Sequence, residues 1–159
     1  MRVGWGFDAH RFSQAGEVLL AGVVVARDRG VEATSDGDVV AHAVADAMLG
    51  AAAMGDLGQL FPSNDPAWEG ADSMNLLSDV ASRVTALGLS ISSIDVTVIA
   101  QAIRVSPHRD AIRRGLAGAM GIDLDRVSCK ATTTDGLGFI GREEGIAAVA
   151  VATVAWPAG

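Results

Sequence analysis

The sequence predicts an α/β (α+β) domain in which a mixed β-sheet is backed by helices. Two patterns carry that expectation: strand-type segments open the chain, recur in its middle and close it, and segments with helical spacing lie between them. A length of 159 residues with 50% apolar content is the size of one ordinary domain with a real core, so residues 1–159 are expected to form a single domain.

Residues 2–7 and 18–25 ("VLLAGVVV") read as strands by their β-branched content, with a polar, glycine-containing loop between them. Asp8 and His10 are therefore expected at the end of the first strand. After "SDGD", the proline-free run "VVAHAVADAMLGAAAM" reads as a helix from Val39 that stops at Gly55, with His42 near its first turn. The stretch "LFPSNDPAWEGADS" reads as an extended loop, because two prolines and several turn formers fall within it. From Ser73, the apolar positions Leu76, Leu77, Val80, Ala81, Val84 and Leu87 follow helical spacing, and Gly88 closes the segment. "SIDVTVIA" alternates as a strand does. Ser106 as cap and Pro107 at the first helical position predict another helix, striped by Ile112, Leu116 and Met120 and ended by Gly121. "RVSCKA" and "GIAAVAVATVAW" read as closing strands; the alanines of the last favour a helix and its valines a sheet.

A net charge of -7 and a pI near 4.7 argue against a nucleic-acid or anionic-membrane surface, since both need a positive field. No apolar run approaches 18 residues and no basic segment precedes an apolar block at the N-terminus, so a cytoplasmic location is the default expectation. Cys129, the single cysteine, leaves no internal disulfide and no Cys-rich metal site, and its apolar setting reads as a buried small residue.

The chain has only three histidines, and two of them fall where chemistry is expected. Asp8, His10 and His42 can converge on one metal, since carboxylate and imidazole suit zinc and a catalytic site needs three protein ligands and one open position. Asp-x-His is common by chance, and a lone histidine on an Ala-rich helix is more often packed or capping. Asp38 and Asp46, one turn either side of His42, are candidates to orient its ring. The plainer reading gives Asp38 a helix-start charge and Asp46 a solvated face.

A second constellation is "KATTTDGLGFIGREEG", residues 130–145, where hydroxyls and glycines follow a strand and can turn N–H groups toward an anion. It contains a literal G-x-G-x-x-G. A dinucleotide fingerprint would need a helix directly after it and an acidic residue about 20 positions on; here an alternating, β-branched segment follows and the chain stops. Asp135 offers an oxygen ligand for a hard cation, while Lys130 and Arg142 offer local positive charge for a phosphate-bearing substrate.

The blocks "GWGFDAHRF", "SDGDVVAHAVADAMLGAAAMGDLGQLFPSNDP", "DVTVIAQ" and "KATTTDGLGFIGREEGIA" stand in the order and spacing of one family, and the chain resembles the 2-C-methyl-D-erythritol 2,4-cyclodiphosphate synthases nearly end to end. The resemblance implies a homotrimer with a site at each subunit boundary. There 4-diphosphocytidyl-2-C-methyl-D-erythritol 2-phosphate cyclises and releases CMP, in the non-mevalonate isoprenoid pathway. It assigns Zn2+ or another divalent cation to Asp8, His10 and His42, and Mg2+ or Mn2+ to Asp135 with the substrate phosphates. Thr133 and Thr34 fall at positions to which it assigns catalysis.

The resemblance places Asp8, Ala9, His10, Thr34 and Ser35 against the substrate. Asp56, Leu57 and Gly58 correspond to the ribose contact. Phe61, Pro62, Ser63, Asn64 and Asp65 would cover the methylerythritol unit. Ala100, Gln101, Ala102, Ile103 and Arg104, with Ala131, Thr132 and Thr133, correspond to the cytidine and phosphate pocket; Thr134, Asp135, Phe139 and Arg142 complete the substrate set. The family commonly has His at Thr34, Asp at Ser63 and Glu-Lys at Asp135 and Gly136, so the second metal's carboxylate is one methylene shorter here. A metal-dependent phosphoesterase and a non-catalytic trimer that binds phosphorylated ligands are the competing readings.

Overall fold

The computed structural model describes residues 1–62 and 64–156. In chain order the elements are β1 (Arg2–Ser13), β2 (Val18–Leu20), β3 (Val23–Ala26), β4 (Gly30–Val31), α1 (Val39–Ala52) and α2 (Leu57–Leu60). They are followed by α3 (Ser73–Ala86), β5 (Ser90–Ile99), α4 (Arg109–Met120), β6 (Val127–Thr132), α5 (Gly138–Gly141) and β7 (Gly145–Ala155). Five strands form one mixed sheet in the order β4-β1-β7-β5-β6, with β2 and β3 a separate hairpin. β7 is antiparallel to both β1 and β5, whereas β5 and β6 are parallel and connected through α4.

The centre of the molecule is α1, which is buried on all sides except along a stripe formed by His42, Asp46 and Gly50. It lies unusually close to the sheet. A Cβ on Gly4 would stand 1.9 Å from the Ala47 carbonyl oxygen, and one on Gly6 would stand 2.1 Å from that of Ala43. Across the ladder, Gly4 and Gly6 face Ala152 and Ala150, which are also fully buried. This seat explains why the Ala-rich last segment is a strand. Its alternate residues need to be small under a helix, and its valines favour extended backbone.

Strand alternation gives β1 two unlike faces. Gly4, Gly6, Asp8 and His10 share the parity that faces α1, while Val3, Trp5 and Phe7 point to the other side and are 64%, 62% and 45% exposed. Trp5 and Phe7 stack there with ring centroids 6.2 Å apart.

The structure corrects several sequence expectations. β1 does not end before Asp8, because Asp8, Ala9, His10 and Arg11 pair with Ala148, Ala147, Ile146 and Gly145; the two candidate ligands are mid-strand. "VLLAGVVV" is two strands, turned by Ala21 and Gly22, whose φ values of 51° and 73° fit a two-residue hairpin turn. α1 stops before Gly55: Ala53 takes the left-handed cap at φ 58° and donates its N–H to Leu49 and Gly50 carbonyls. The loop after Gly55 contains α2 and a 3-10 turn, Pro66–Trp68, whose first N–H groups are capped by Asp56 and Asp65. Ser106 does not act as the expected cap; α4 is entered through a 3-10 turn, Ser106–His108, without side-chain capping.

The seat of α1 yields a direct expectation. Gly6→Ala should destabilise the protein by about 1–3 kcal/mol, the usual cost of overpacking, because the methyl group meets helix backbone rather than a movable side chain. Thermal unfolding measures it; a melting temperature equal to that of the parent would show that the helix can lift freely.

Candidate metal centre and substrate clefts

β1 supplies Asp8 and His10 two residues apart on one face, and α1, pressed onto that face, supplies His42 from its first turn. Ligand atoms of the three residues lie within 4.8 Å of one another. Asp8 Oδ2 is 2.9 Å from His42 Nδ1 and 3.1 Å from His10 Nε2. The second contact is too poorly aligned for a hydrogen bond, so His10 Nε2 is buried without a partner. A buried nitrogen left unsatisfied beside a carboxylate and a second imidazole is the arrangement that a divalent cation completes, so the donor set fits a metal.

The electrostatics agree with that fit. Burial pushes the Asp8 carboxyl up, but the imidazoles of His10 and His42 outweigh it and hold Asp8 well below the ordinary carboxylate range. Burial pushes His42 down, yet its hydrogen bond to Asp8, helped by the charges of Asp8, Asp38 and Asp36, holds its pKa above the usual imidazole value.

Neither aspartate expected to orient His42 forms a side-chain hydrogen bond to its ring. Asp38 is fully buried as the cap of α1, accepting the N–H groups of Val40, Ala41 and Gly22, the last at 2.7 Å. All its oxygens are committed to backbone. Asp46 is no solvated residue either: it accepts the Leu57 N–H at 2.7 Å and so fixes the start of α2. Burial pushes its carboxyl up. The ring's second nitrogen, His42 Nε2, lies 2.8 Å from Ser73 Oγ and 3.3 Å from Ser35 Oγ. Ser73, 31 positions away, carried no local signal; only the fold brings α3's first residue beside α1.

The triad opens into a cavity of about 460 Å³ that also takes in Thr34, Ser35, Leu57, Gly58, Phe61, Pro62 and Asn64. Sequence reasoning missed two of its walls, Leu76 and Trp68; the latter packs edge-on against Phe61 at 4.8 Å. Ser63 lies outside the described residues. Asp56 faces Gln59 and caps α2, and Asp65 caps the following turn beside Thr34 and Asn64 in a shallower groove.

A second cavity, of about 620 Å³, is lined by Ala100, Gln101, Ala102, Ile103 and Arg104 on one side and Ala131, Thr132 and Thr133 on the other. Gln101 Oε1 accepts the Gly136 N–H at 3.3 Å and ties the two sides together. Beyond it, Asp135 adopts φ 51° and accepts the Thr133 hydroxyl at 3.2 Å, and the Thr134 hydroxyl donates to the Leu137 carbonyl. Ala9 and Phe139 border a smaller pocket with His10. The two large cavities are separate within one chain. Lys130 and Arg142, expected to supply free positive charge, are instead paired with Asp95 and Glu144, which leaves Arg104 as the cation among the described lining residues of the second cavity.

Comparison with known proteins agrees with this geometry. The family model described as the YgbB family matches residues 1–155. The 2-C-methyl-D-erythritol 2,4-cyclodiphosphate synthase of Cronobacter sakazakii is 51% identical over 152 residues, 96% of each chain. Among solved structures, the bifunctional protein of Campylobacter jejuni superposes with a TM-score of 0.95 and 40% identity over 98% of this chain, which spans 42% of that one. The Plasmodium falciparum relative, solved in complex with CDP, gives a TM-score of 0.86 at 29% identity, covering 99% of this chain and 97% of that one. The chain belongs to the YgbB family, the 2-C-methyl-D-erythritol 2,4-cyclodiphosphate synthases.

Proposed function

We propose that the chain is a lyase that cyclises 4-diphosphocytidyl-2-C-methyl-D-erythritol 2-phosphate to 2-C-methyl-D-erythritol 2,4-cyclodiphosphate, releasing CMP in the non-mevalonate isoprenoid pathway. The observation that carries this reading is the Asp8, His10 and His42 triad lining an apolar-walled cavity, in a chain that matches the synthases over 96% of its length. Residues 1–159 form one synthase domain. No helix among the described residues is long and apolar enough to cross a membrane, which accords with a cytoplasmic enzyme.

The reaction joins an oxygen of the 2-phosphate to the β-phosphorus and breaks the bond from that phosphorus to the oxygen leaving with CMP. No protein nucleophile is needed, so the chain's work is positioning and charge neutralisation. Zn2+ held by Asp8, His10 and His42 supplies Lewis acidity toward a phosphoryl oxygen. Asp135, with the substrate phosphates, is the proposed holder of Mg2+ or Mn2+. Phe61, Pro62, Ser63, Asn64 and Asp65 cover the methylerythritol unit, and Leu57 and Gly58, with Asp56, contact the ribose. Residues 100–104 and 131–133 take the cytidine and its phosphates, where Arg104 and the hydroxyls of Thr132 and Thr133 meet negative charge. Thr34 and Ser35, on the triad's cavity, donate to substrate oxygens; Thr34 does so with a shorter, uncharged reach than the histidine common in the family. Thr134, Phe139 and Arg142 border the site.

A homotrimer is part of the proposal. The uncovered apolar face of β1 supports it, since Val3, Trp5 and Phe7 form a contiguous patch unsuited to water. Two separate cavities in one chain support it as well, because association between subunits can bring one subunit's triad against another's nucleotide pocket.

Product analysis tests the function. Supplied with the cytidylyl substrate and magnesium, the protein should release CMP and the cyclic diphosphate; inorganic phosphate would identify an esterase, and neither product a binding protein.

Zinc content should depend on pH in a defined direction. Because Asp8 raises the proton affinity of His42, protons compete for that ring from above the ordinary imidazole value, about 6.5. Metal is therefore lost as pH falls, while Asp8, held low, stays ionised throughout. Metal analysis from about pH 8 to about pH 5 should show a steep decline, and His42→Ala should abolish binding; flat occupancy would remove the triad from the mechanism.

For the assembly, Trp5→Glu should convert a trimer into a monomer in sedimentation equilibrium, since it places a charge at the centre of the patch that the trimer would cover. A parent protein that is already monomeric would refute the trimer.

A further inference from the structure

We propose that Asp36 and Ser73 form a relay that locks the His42 ring in one tautomer and one plane, so that Nδ1 presents its lone pair to the metal. Both are positioning residues acting through His42. The inference rests on the metal reading above.

The directions of the hydrogen bonds follow from a count of protons. A carboxylate only accepts, and a serine hydroxyl has a single proton to give. Asp36 binds Ser73 twice: Oδ2 accepts the Ser73 N–H at 3.0 Å, and Oδ1 accepts the Ser73 hydroxyl. With its proton committed to Asp36, Ser73 Oγ turns lone pairs toward His42 Nε2, 2.8 Å away. That nitrogen must then be the donor. With metal bound, the ring is a neutral imidazole with one N–H, so Nδ1 is bare for the metal; without metal, a further proton on Nδ1 makes the 2.9 Å hydrogen bond to Asp8 Oδ2. The opposite direction, with Ser73 donating to His42, would set the Ser73 and Asp36 oxygens against each other with no proton between them.

Every member of the relay is held in place by backbone. Asp36 donates its own N–H to the Ala71 carbonyl at 3.2 Å and receives the Asp38 N–H on Oδ1 at 3.3 Å. Gly37 follows at φ 71°, where a Cβ would stand 2.3 Å from Val31 Cγ2, so the turn that aims Asp36 requires glycine. Ser73 is 1% exposed at the start of α3, whose cap is the separate residue Asp72. Ser35 plays a different part. Its hydroxyl lies farther from Nε2, at 3.3 Å, accepts the Gly37 N–H and lines the first cavity, where its proton is free for substrate.

A purely structural reading would give Asp36 and Ser73 the task of docking α3 to the loop before α1. The two roles separate in zinc binding measured on the full-length protein with Zn2+ as probe, by competition with a chromophoric chelator. Loss of a hydrogen-bond partner behind a metal-bound histidine weakens affinity by about 10–100-fold. Ser73→Ala should do so with little change in the melting temperature of the metal-free protein. Ser73→Thr, which keeps the hydroxyl, should restore most of the affinity. Asp36→Asn should also weaken zinc, because its amide can donate to Ser73 Oγ and release the hydroxyl proton toward His42. In the zinc-loaded parent, 15N-labelled His42 should show a slowly exchanging Nε2–H signal that is lost in Ser73→Ala. Parent-like zinc affinity in Ser73→Ala, or a zinc-loaded ring protonated at Nδ1, overturns the relay alone. A parent protein that takes up no zinc overturns the metal reading and the relay with it.

Discussion

Everything else in the molecule depends on how near α1 comes to the sheet. Two glycines in β1 let helix carbonyls sit where side chains would otherwise stand, and alanines in β7 extend the same low floor. Dispersion falls steeply with separation, so a helix seated this closely is fixed in height and rotation. That fixity converts a 34-residue sequence separation into a 2.9 Å contact between Asp8 and His42. Burial is nearly complete around the rest of the helix, so its one open stripe, His42, Asp46 and Gly50, faces the site side. The triad is thus a consequence of small residues that carry no chemistry themselves.

Much of this was legible in the sequence where the signal is local. Asp8, His10 and His42 stood out because histidine is scarce in this chain, and Gly121 was recognised as a cap because left-handed backbone favours glycine. Failures occurred where a distant partner decided the outcome. Asp8 looked like a strand end because polar residues interrupt an apolar run, yet β7 pairs with it and carries β1 on to Ser13. Asp38 and Asp46 had the right spacing from His42, but backbone N–H groups bind them first. Ser73 reached His42 through the packing of α3, and no periodicity marks such a contact.

The acid-rich composition also takes on meaning at the level of local fields. Of the cations expected to receive phosphates, Lys130 and Arg142 are already paired with carboxylates. Under the proposed function, neutralising a polyanionic substrate would fall to Arg104, to hydroxyl and backbone donors, and to divalent metal. An enzyme organised in this way needs little net positive charge of its own. The residues that could hold a metal are carboxylate and imidazole, whose affinity for cations is helped by the acidic surroundings.

β1 packs two unrelated duties into one strand by residue parity. Even positions hold the helix seat and two of the candidate metal-holding residues, Asp8 and His10; odd positions hold the exposed aromatic patch. A side-chain period of two makes this arrangement intolerant of length changes. One residue inserted between Phe7 and Asp8 would reverse the parity of Asp8 and His10 relative to Trp5 and Phe7, so that the ligand pair and the aromatic pair would compete for one face.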